Sequence, residues 1–355
     1  MASPRQLMVG EVPVGGGAPV AVQSMTNTRT DEVEATLSQI RALATAGASI
    51  VRVAVPDASA AQALKTLTAE SPVPLVADVH FDHRLAVAAL RAGVAGIRIN
   101  PGNIGGKEAV RAIVEVAAET GAVIRVGVNS GSLERGLRDL ERRDPAGALV
   151  ESAVRNCDLL TGLGFERLKV SVKSSSPLVT ISANRRLAER VPFPIHLGLT
   201  EAGTVRPGTV RSAVVLGILL AEGIGDTIRV SLTGDPVEEV WVAREILRTL
   251  GLAPRGPRVI SCPTCGRTKM AVEALASEVE RRLEALDLDL EVAVMGCVVN
   301  GPGEARKADF GIAGGDGEGV VFAKGRPVRK VAEAELIDAL FEEIAKQPRS
   351  RASGD

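Results

Sequence analysis

At 355 residues the chain has room for one large domain or two ordinary ones, and its 45% hydrophobic residues can supply a sizeable core. A formal net charge of −1 argues against a nucleic-acid binder that relies on bulk positive charge, and 2% aromatics, with no Tyr and one Trp, leave few rings for base stacking. No apolar run approaches a membrane span and MASPRQLMVG lacks a signal-peptide pattern, so the sequence predicts a cytoplasmic protein whose four cysteines serve metal or redox chemistry before disulfides.

Up to about residue 250 one unit repeats: a short β-branched run, a polar or Gly-rich turn, then an Ala/Leu-rich stretch of helical period. The runs fall at Ala21–Met25, Ile50–Val55, Leu75–His80, Gly96–Asn100, Val123–Asn129, Leu168–Lys173, Ile195–Leu199 and Thr227–Leu232. Helix-like stretches between them include Glu32–Ala46, Arg84–Ala92, Lys107–Thr120 and Val237–Leu250. Eight strands alternating with helices predict an α/β fold, a (β/α)8 TIM-type barrel over residues 1–252. The alternative, a doubly wound open sheet, calls for central strands apolar on both faces.

These strands alternate instead. Ile124, Val126 and Val128 share one face and Arg125, Gly127 and Asn129 the other. The same split sets Arg52, Arg98, Asn100, Lys169, Ser171, Lys173, His196, Arg229 and Ser231 against aliphatic neighbours, and Asp78 shares a face with His80. The aliphatic face must pack under helices, which turns the polar face into the barrel. That inward set holds six cations (Arg52, Arg98, Arg125, Lys169, Lys173, Arg229) against one carboxylate, Asp78. Buried charge is costly unless paired, so the imbalance calls for a multiply anionic ligand such as a diphosphate, bound by Arg forks and Lys point charges at the carboxyl ends of the strands. The plain alternative for Arg125 and Lys169, early in their strands, is snorkelling to the lower rim. For His196 it is a hydrogen-bonded core histidine, and for Glu201 a loop carboxylate capping a helix. The turn Asn100-Pro-Gly-Asn-Ile-Gly-Gly106 offers backbone N–H groups before a helix start, a weak signal for an anion cradle.

Residues 253–258, within GLAPRGPR, read as a linker because Pro and Gly interrupt the helical pattern. Residues 259–346 predict a small α+β domain: helix Lys269–Ala285, strands Leu290–Val294, Ala308–Ile312 and Gly319–Ala323, helix Glu333–Lys346, then a disordered tail over 347–355. Three cysteines lie here, Cys262 and Cys265 in a Cys-Pro-Thr-Cys turn and Cys297 in Met-Gly-Cys-Val-Val-Asn300-Gly-Pro-Gly-Glu304. Half a zinc ribbon looks similar, but a structural zinc site wants four N/S ligands, and all three His lie in the barrel half. Three cysteines without a fourth suit an iron–sulfur cluster with one exchangeable corner, with zinc as the alternative. Glu304 is a candidate for that corner or a solvated loop carboxylate; Asn300 contacts a ligand or caps the turn. Cys157, in a helix-like stretch, reads as a buried thiol.

The strings GGGAPVAVQSMT, ADVHFD, RINPGNIG, RVGVNSGSLE, HLGLTEAG, SCPTCGRT and MGCVVNGPGEA resemble the 4-hydroxy-3-methylbut-2-en-1-yl diphosphate synthases of the bacterial non-mevalonate isoprenoid pathway, from about residue 6 to about 345, in the shorter two-domain form. The resemblance implies a [4Fe–4S] cluster on Cys262, Cys265, Cys297 and Glu304. It implies two-electron reductive ring opening of 2-C-methyl-D-erythritol 2,4-cyclodiphosphate, with diphosphate contacts from Arg52, Arg98, Asn100, Arg125, Asn129, Lys173, Arg229 and Ser231. Asp78, His196 and Glu201 would orient substrate or handle protons. It further implies a homodimer, the small domain of one chain covering the barrel mouth of the other, and flavodoxin or ferredoxin as electron donor, since no nicotinamide-binding fingerprint is apparent. The roles of Lys169 and His80 stay open. Two rivals remain: a pterin-dependent transferase, also a diphosphate-binding barrel but without need of the cysteines, and a metal-bearing regulator, for which no helix-turn-helix or basic patch speaks.

Overall fold

The computed structural model describes residues 3–254, 256–284, 286, 288–297 and 308–346. Asn300, Glu304 and the tail 347–355 lie outside the described residues. The chain divides into two compact units, Met1–Ala253 and Pro254–Asp355.

In the first unit a hairpin of β1 (Gln6–Val9) and β2 (Val12–Gly15) precedes eight parallel strands: β3 (Ala21–Met25), β4 (Ile50–Ala54), β5 (Leu75–Asp78), β6 (Gly96–Ile99), β7 (Val123–Asn129), β8 (Leu168–Lys173), β9 (His196–Leu197) and β10 (Thr227–Ile228). Their order is β8-β7-β6-β5-β4-β3-β10-β9, and a parallel bridge between Val170 and Ile195 joins the two ends. That closes a barrel and excludes the open sheet. The helices are α1 (Val33–Ala46), α2 (Ala58–Glu70), α3 (His83–Arg91), α4 (Lys107–Thr120), α5 (Arg138–Arg143), α6 (Pro145–Thr161), α7 (Pro177–Arg190), α8 (Val205–Ala221) and α9 (Pro236–Thr249). Their starts follow local chemistry: Asp57, Asp82, Asp144, Ser176 and Asp235 cap backbone N–H groups, and Pro opens α6, α7 and α9.

The alternation resolves as expected. Val51, Val53, Ile97, Ile99, Ile124, Val126, Val128, Val170 and Val172 form one core with Leu37, Ile40, Leu64, Leu90 and Ile113 of the surrounding helices. The hairpin was not foreseen. Val9 and Val14 pack on Ala21, Ile50, Val76 and Val123, all at or near strand starts, so it covers the amino-terminal end of the barrel. The carboxyl end is left as the mouth.

In the second unit β11 (Arg258–Ser261), β12 (Glu291–Met295), β13 (Phe310–Gly315), β14 (Glu318–Ala323) and β15 (Arg326–Ala332) form a five-stranded mixed sheet in sequence order. The first three run parallel and the last two pairings are antiparallel. Helices α10 (Val272–Glu284) and α11 (Leu336–Ala345) share its core through Val279, Leu283, Val292, Val294, Ile312, Leu336 and Leu340. The strand β11 is not among the predicted strands of this unit; its first residue, Arg258, is the last of the predicted linker. The strand β15, rich in Arg and Lys, was also missed; it is an edge strand, where charge is tolerated. No described helix is long and apolar enough to cross a membrane.

Candidate functional site

Register places the predicted charges on one belt. Asp78 pairs with Arg98, Arg98 with Arg125 and Arg125 with Lys169 across β5 to β8, and Asn129 pairs with Lys173. Paired residues in a parallel sheet point to the same side, here into the barrel. Arg52, Arg98, Arg125, Lys169, Lys173 and His196 are all buried. Two glycines make the room: a Cβ at Gly127 would lie 2.4 Å from Arg98 Nε, and one at Gly198 would lie 2.6 Å from Lys173 Nζ.

Asp78 is the hub. Arg98 Nη1 donates to its Oδ1 at 3.2 Å, and Arg52 Nε lies 3.5 Å from its Oδ2. Burial alone would raise this carboxyl, but Arg52, His80, Arg98 and Arg125 together hold it well below the usual carboxylate range. Arg98 also donates to Gly127 O at 3.3 Å and lies 2.8 Å from His80 Nε2. With its amide turned to satisfy both ends, Asn129 accepts from Arg98 Nη2 at 3.3 Å. Arg52 also meets the thioether of Met25, at 2.9 Å from Nη2, a weak acceptor.

The expectation of a single inward carboxylate needs correction. Glu239, in the first turn of α9, is buried and accepts from Arg229 Nη2 at 3.2 Å and from Leu232 N at 2.8 Å. Burial raises its carboxyl, and Arg229 pulls it back. Arg229 Nη1 donates to Ser231 Oγ at 2.6 Å. The signal was present: Glu239 lies on the buried face of α9 with Ala243 and Ile246. Asp226 is also buried; it accepts from Ile195 N at 2.8 Å and offsets part of the penalty on Lys169.

Snorkelling does not describe Arg125 and Lys169, which are 3% and 2% exposed. Lys169 Nζ donates to Thr227 Oγ1 at 3.0 Å, and burial, with Arg125 nearby, pushes it down to about 7. Between pH 7 and its ordinary 10.5 the unfolded chain then binds more protons than the folded one, so ligand-free stability should rise with pH across that window. Lys169→Met should flatten the rise, on the order of 1 kcal/mol per pH unit, in thermal unfolding measured from pH 7 to 10. An equal slope in both proteins would discount Lys169.

Donors remain unused. Arg98 Nε, Arg125 Nε and Nη2, Arg229 Nε, Asn100 Nδ2 and both ring nitrogens of His196 have no hydrogen-bond partner among the described residues. Unpaired buried donors are rare in folded proteins and point to a ligand that supplies acceptors. The hydrogen-bonded core histidine is therefore not observed: His196 is fully buried, and burial with Arg125 and Lys173 keeps it neutral. Lys173 is held well below its ordinary range by burial and by Arg125, Arg229, Arg52 and Arg98. Glu201 does not cap α8, whose N-cap residue is Thr204; it is exposed with φ 55°, and Phe81 at φ 65° is likewise a non-glycine residue in the left-handed region. Both follow strand ends, in line with strain stored at functional loops.

In the second unit Cys262 follows β11 and Cys297 follows β12, adjacent parallel strands. Cys262 N donates to Val294 O at 3.0 Å, and its sulfur accepts from Gly296 N at 3.4 Å. A Cβ at Gly296 would lie 2.4 Å from Val272 Cγ2 and 3.6 Å from Cys262 Sγ, so glycine lets the chain just before Cys297 pass close to Cys262. The Cys265 thiol is held below its ordinary range by the Arg267 backbone N–H first, then by the Arg267 charge and the Thr268 hydroxyl. Three thiols, two of them with backbone N–H groups turned to the sulfur, fit an iron–sulfur cluster. Among the described residues, no three His, Cys, Asp or Glu gather tightly enough for a single metal ion. Cys157 is buried and pushed up to about 12 by burial, an inert thiol.

Comparison with known proteins bears on both units. Residues 4–244 match a family model described as the GcpE TIM-barrel domain, and residues 258–346 match the GcpE protein C-terminal domain. A protein of Geobacter sulfurreducens named 4-hydroxy-3-methylbut-2-en-1-yl diphosphate synthase (flavodoxin) is 54% identical over 97% of this chain and 98% of its own length. One of the same name from Nitratidesulfovibrio vulgaris is 55% identical over 96% and 88%. Among solved structures, dihydropteroate synthase of Xanthomonas albilineans aligns with TM-score 0.50 at 16% identity, over 72% of this chain and 100% of that one. That likeness speaks for the barrel fold alone.

Proposed function

The chain belongs to the GcpE family, and from that premise we propose that it reductively opens 2-C-methyl-D-erythritol 2,4-cyclodiphosphate to 4-hydroxy-3-methylbut-2-enyl diphosphate. The reaction consumes two electrons and two protons, breaks the ring C–O bond to phosphate and the C–O bond of a neighbouring hydroxyl, which leaves as water, and forms a C=C bond between the two carbons. The observation that carries the reading is the excess of buried, incompletely partnered cations and donors in the barrel. A transferase acting on a pterin would leave the three cysteines of the second domain without work.

Asp78, ionised and clasped by Arg52 and Arg98, fixes two guanidinium forks toward the mouth. Arg125, Lys173 and Arg229 supply further charge to the diphosphate, and Asn100, Asn129 and Ser231 supply neutral contacts. Neutral His196 has both ring nitrogens open, one to donate and one to accept. Glu201, exposed at the mouth, is the candidate to exchange protons with the leaving oxygen. The resemblance assigns a [4Fe–4S] cluster to Cys262, Cys265, Cys297 and Glu304, with Asn300 alongside. When bound, the cluster supplies electrons one at a time. A flavodoxin-type protein is the proposed source, in keeping with the relatives' names, and a homodimer is the proposed assembly.

The test is turnover of the cyclodiphosphate by anaerobically purified protein with a reduced one-electron donor, followed by mass spectrometry of the product. The linear hydroxymethylbutenyl diphosphate is expected. Intact substrate alongside a protein that holds iron and sulfide would overturn the assignment.

A further inference from the structure

Glu134 takes no part in the site described above, yet it joins two of the loops that frame the mouth. It lies in the segment after β7. Ser152 Oγ donates to its Oε1 and Oε2 at 2.9 and 2.7 Å, and Asn156 Nδ2 donates to Oε1 at 3.0 Å. Both donors are buried on α6, one helical turn apart, on a face otherwise made of Ala148, Leu149, Ala153, Cys157 and Leu160. A polar notch in an apolar helix face is costly unless it holds something in place.

What it holds reaches the loop after β6. A Cβ at Gly102 would lie 2.7 Å from Glu134 Oε1 and 3.1 Å from its Cγ, so the carboxylate is seated against the Gly102 backbone. Gly102 N in turn donates to Asn100 Oδ1 at 3.1 Å. Asn100 is buried, and with its oxygen engaged its Nδ2 is left without a partner among the described residues. A second tie runs beside this one, from Asn103 Nδ2 to Ser132 O at 3.3 Å.

We propose that Glu134 is a positioning residue: it locks the β6 and β7 loops together so that Gly102 fixes the Asn100 amide with its N–H groups free for the anionic substrate. The chain of contacts runs from α6 through Glu134 and Gly102 to Asn100. The carboxylate does not touch substrate. Its worth is the preorganisation of one neutral donor, which sets an expected effect near that of losing a single hydrogen bond.

A double-mutant cycle tests this, with binding of the cyclodiphosphate read by calorimetry. The ligand rests on the function proposed above, so wild-type protein that fails to bind it would count against that function and not against the loop lock. Glu134→Ala and Asn100→Ala should each raise the dissociation constant about tenfold, and together they should raise it little more than either alone, because both remove the same contact. KM should rise with kcat within about twofold. Gly102→Ala places a methyl group in the Glu134 seat and should reproduce the effect from the other loop, which keeps the test decisive if Glu134→Ala does not fold. An unchanged dissociation constant, or fully additive losses near a hundredfold, would overturn the proposal.

Discussion

Lys173→Met is expected to make the ligand-free protein more stable and the enzyme far worse. Lys173 is buried and faces Arg125, Arg229, Arg52 and Arg98. Its ordinary charge is therefore resisted by desolvation and by four like charges. Methionine fills similar volume without either penalty, and replacing buried ionic groups by apolar ones of similar size commonly stabilises by about 1–4 kcal/mol. Several degrees in the unfolding midpoint should follow. Substrate binding should move the other way. A phosphate oxygen that meets Lys173 in a water-poor site loses a charge-assisted contact worth roughly 2–5 kcal/mol, about a hundredfold in affinity. Thermal unfolding and calorimetric titration read the two effects separately. A variant less stable than wild type would mean Lys173 is a structural cation, and unaltered affinity would remove it from the diphosphate site.

Cys265→Ser should abolish turnover while leaving the barrel intact. Cys265 is the exposed member of the three-cysteine set, and its thiol is already favoured toward thiolate by Arg267 and Thr268. Serine is a poor ligand for iron at neutral pH because its hydroxyl stays protonated. Iron and sulfide per chain should fall by more than half in anaerobically purified protein, with turnover down at least a hundredfold. The barrel has its own core, separate from that of the second unit, so the dissociation constant for the cyclodiphosphate should change less than twofold. Stoichiometric zinc without sulfide in the wild type would replace the cluster with a structural metal.

Much of the barrel was legible because a strand of period two under a helical shell leaves a strict pattern. Val51, Val53 and Val55 or Ile124, Val126 and Val128 reveal the packed face, and Arg52 and Arg125 between them reveal the interior. The β1–β2 hairpin escaped because its Pro13 and the glycines Gly10 and Gly15 resemble loop chemistry, while its meaning lies in covering strand starts far along the chain. Charge pairing across elements was harder still. Glu239 answers Arg229 from a helix ten residues away, and only its place on the apolar face of α9 betrays it. The free donors of His196 and Arg125 were beyond sequence reading, since an unmet hydrogen bond is a property of the assembled interior. The three thiols stand out in the sequence by their spacing, whereas Asn300 and Glu304 lie outside the described residues.

On the proposed function, the barrel is a receptor held short of its full charge until a diphosphate arrives. Burial and neighbouring guanidinium groups depress Lys173, so at alkaline pH the free protein should hold that amine less protonated than an ordinary lysine, and the bound anion should restore its proton. Titration of the cyclodiphosphate into the protein at pH 8.5, in two buffers of different ionisation enthalpy, measures this directly. Net proton uptake on binding, lost in Lys173→Met, is the predicted result. Binding with no proton uptake, or uptake of equal size in the variant, would contradict it.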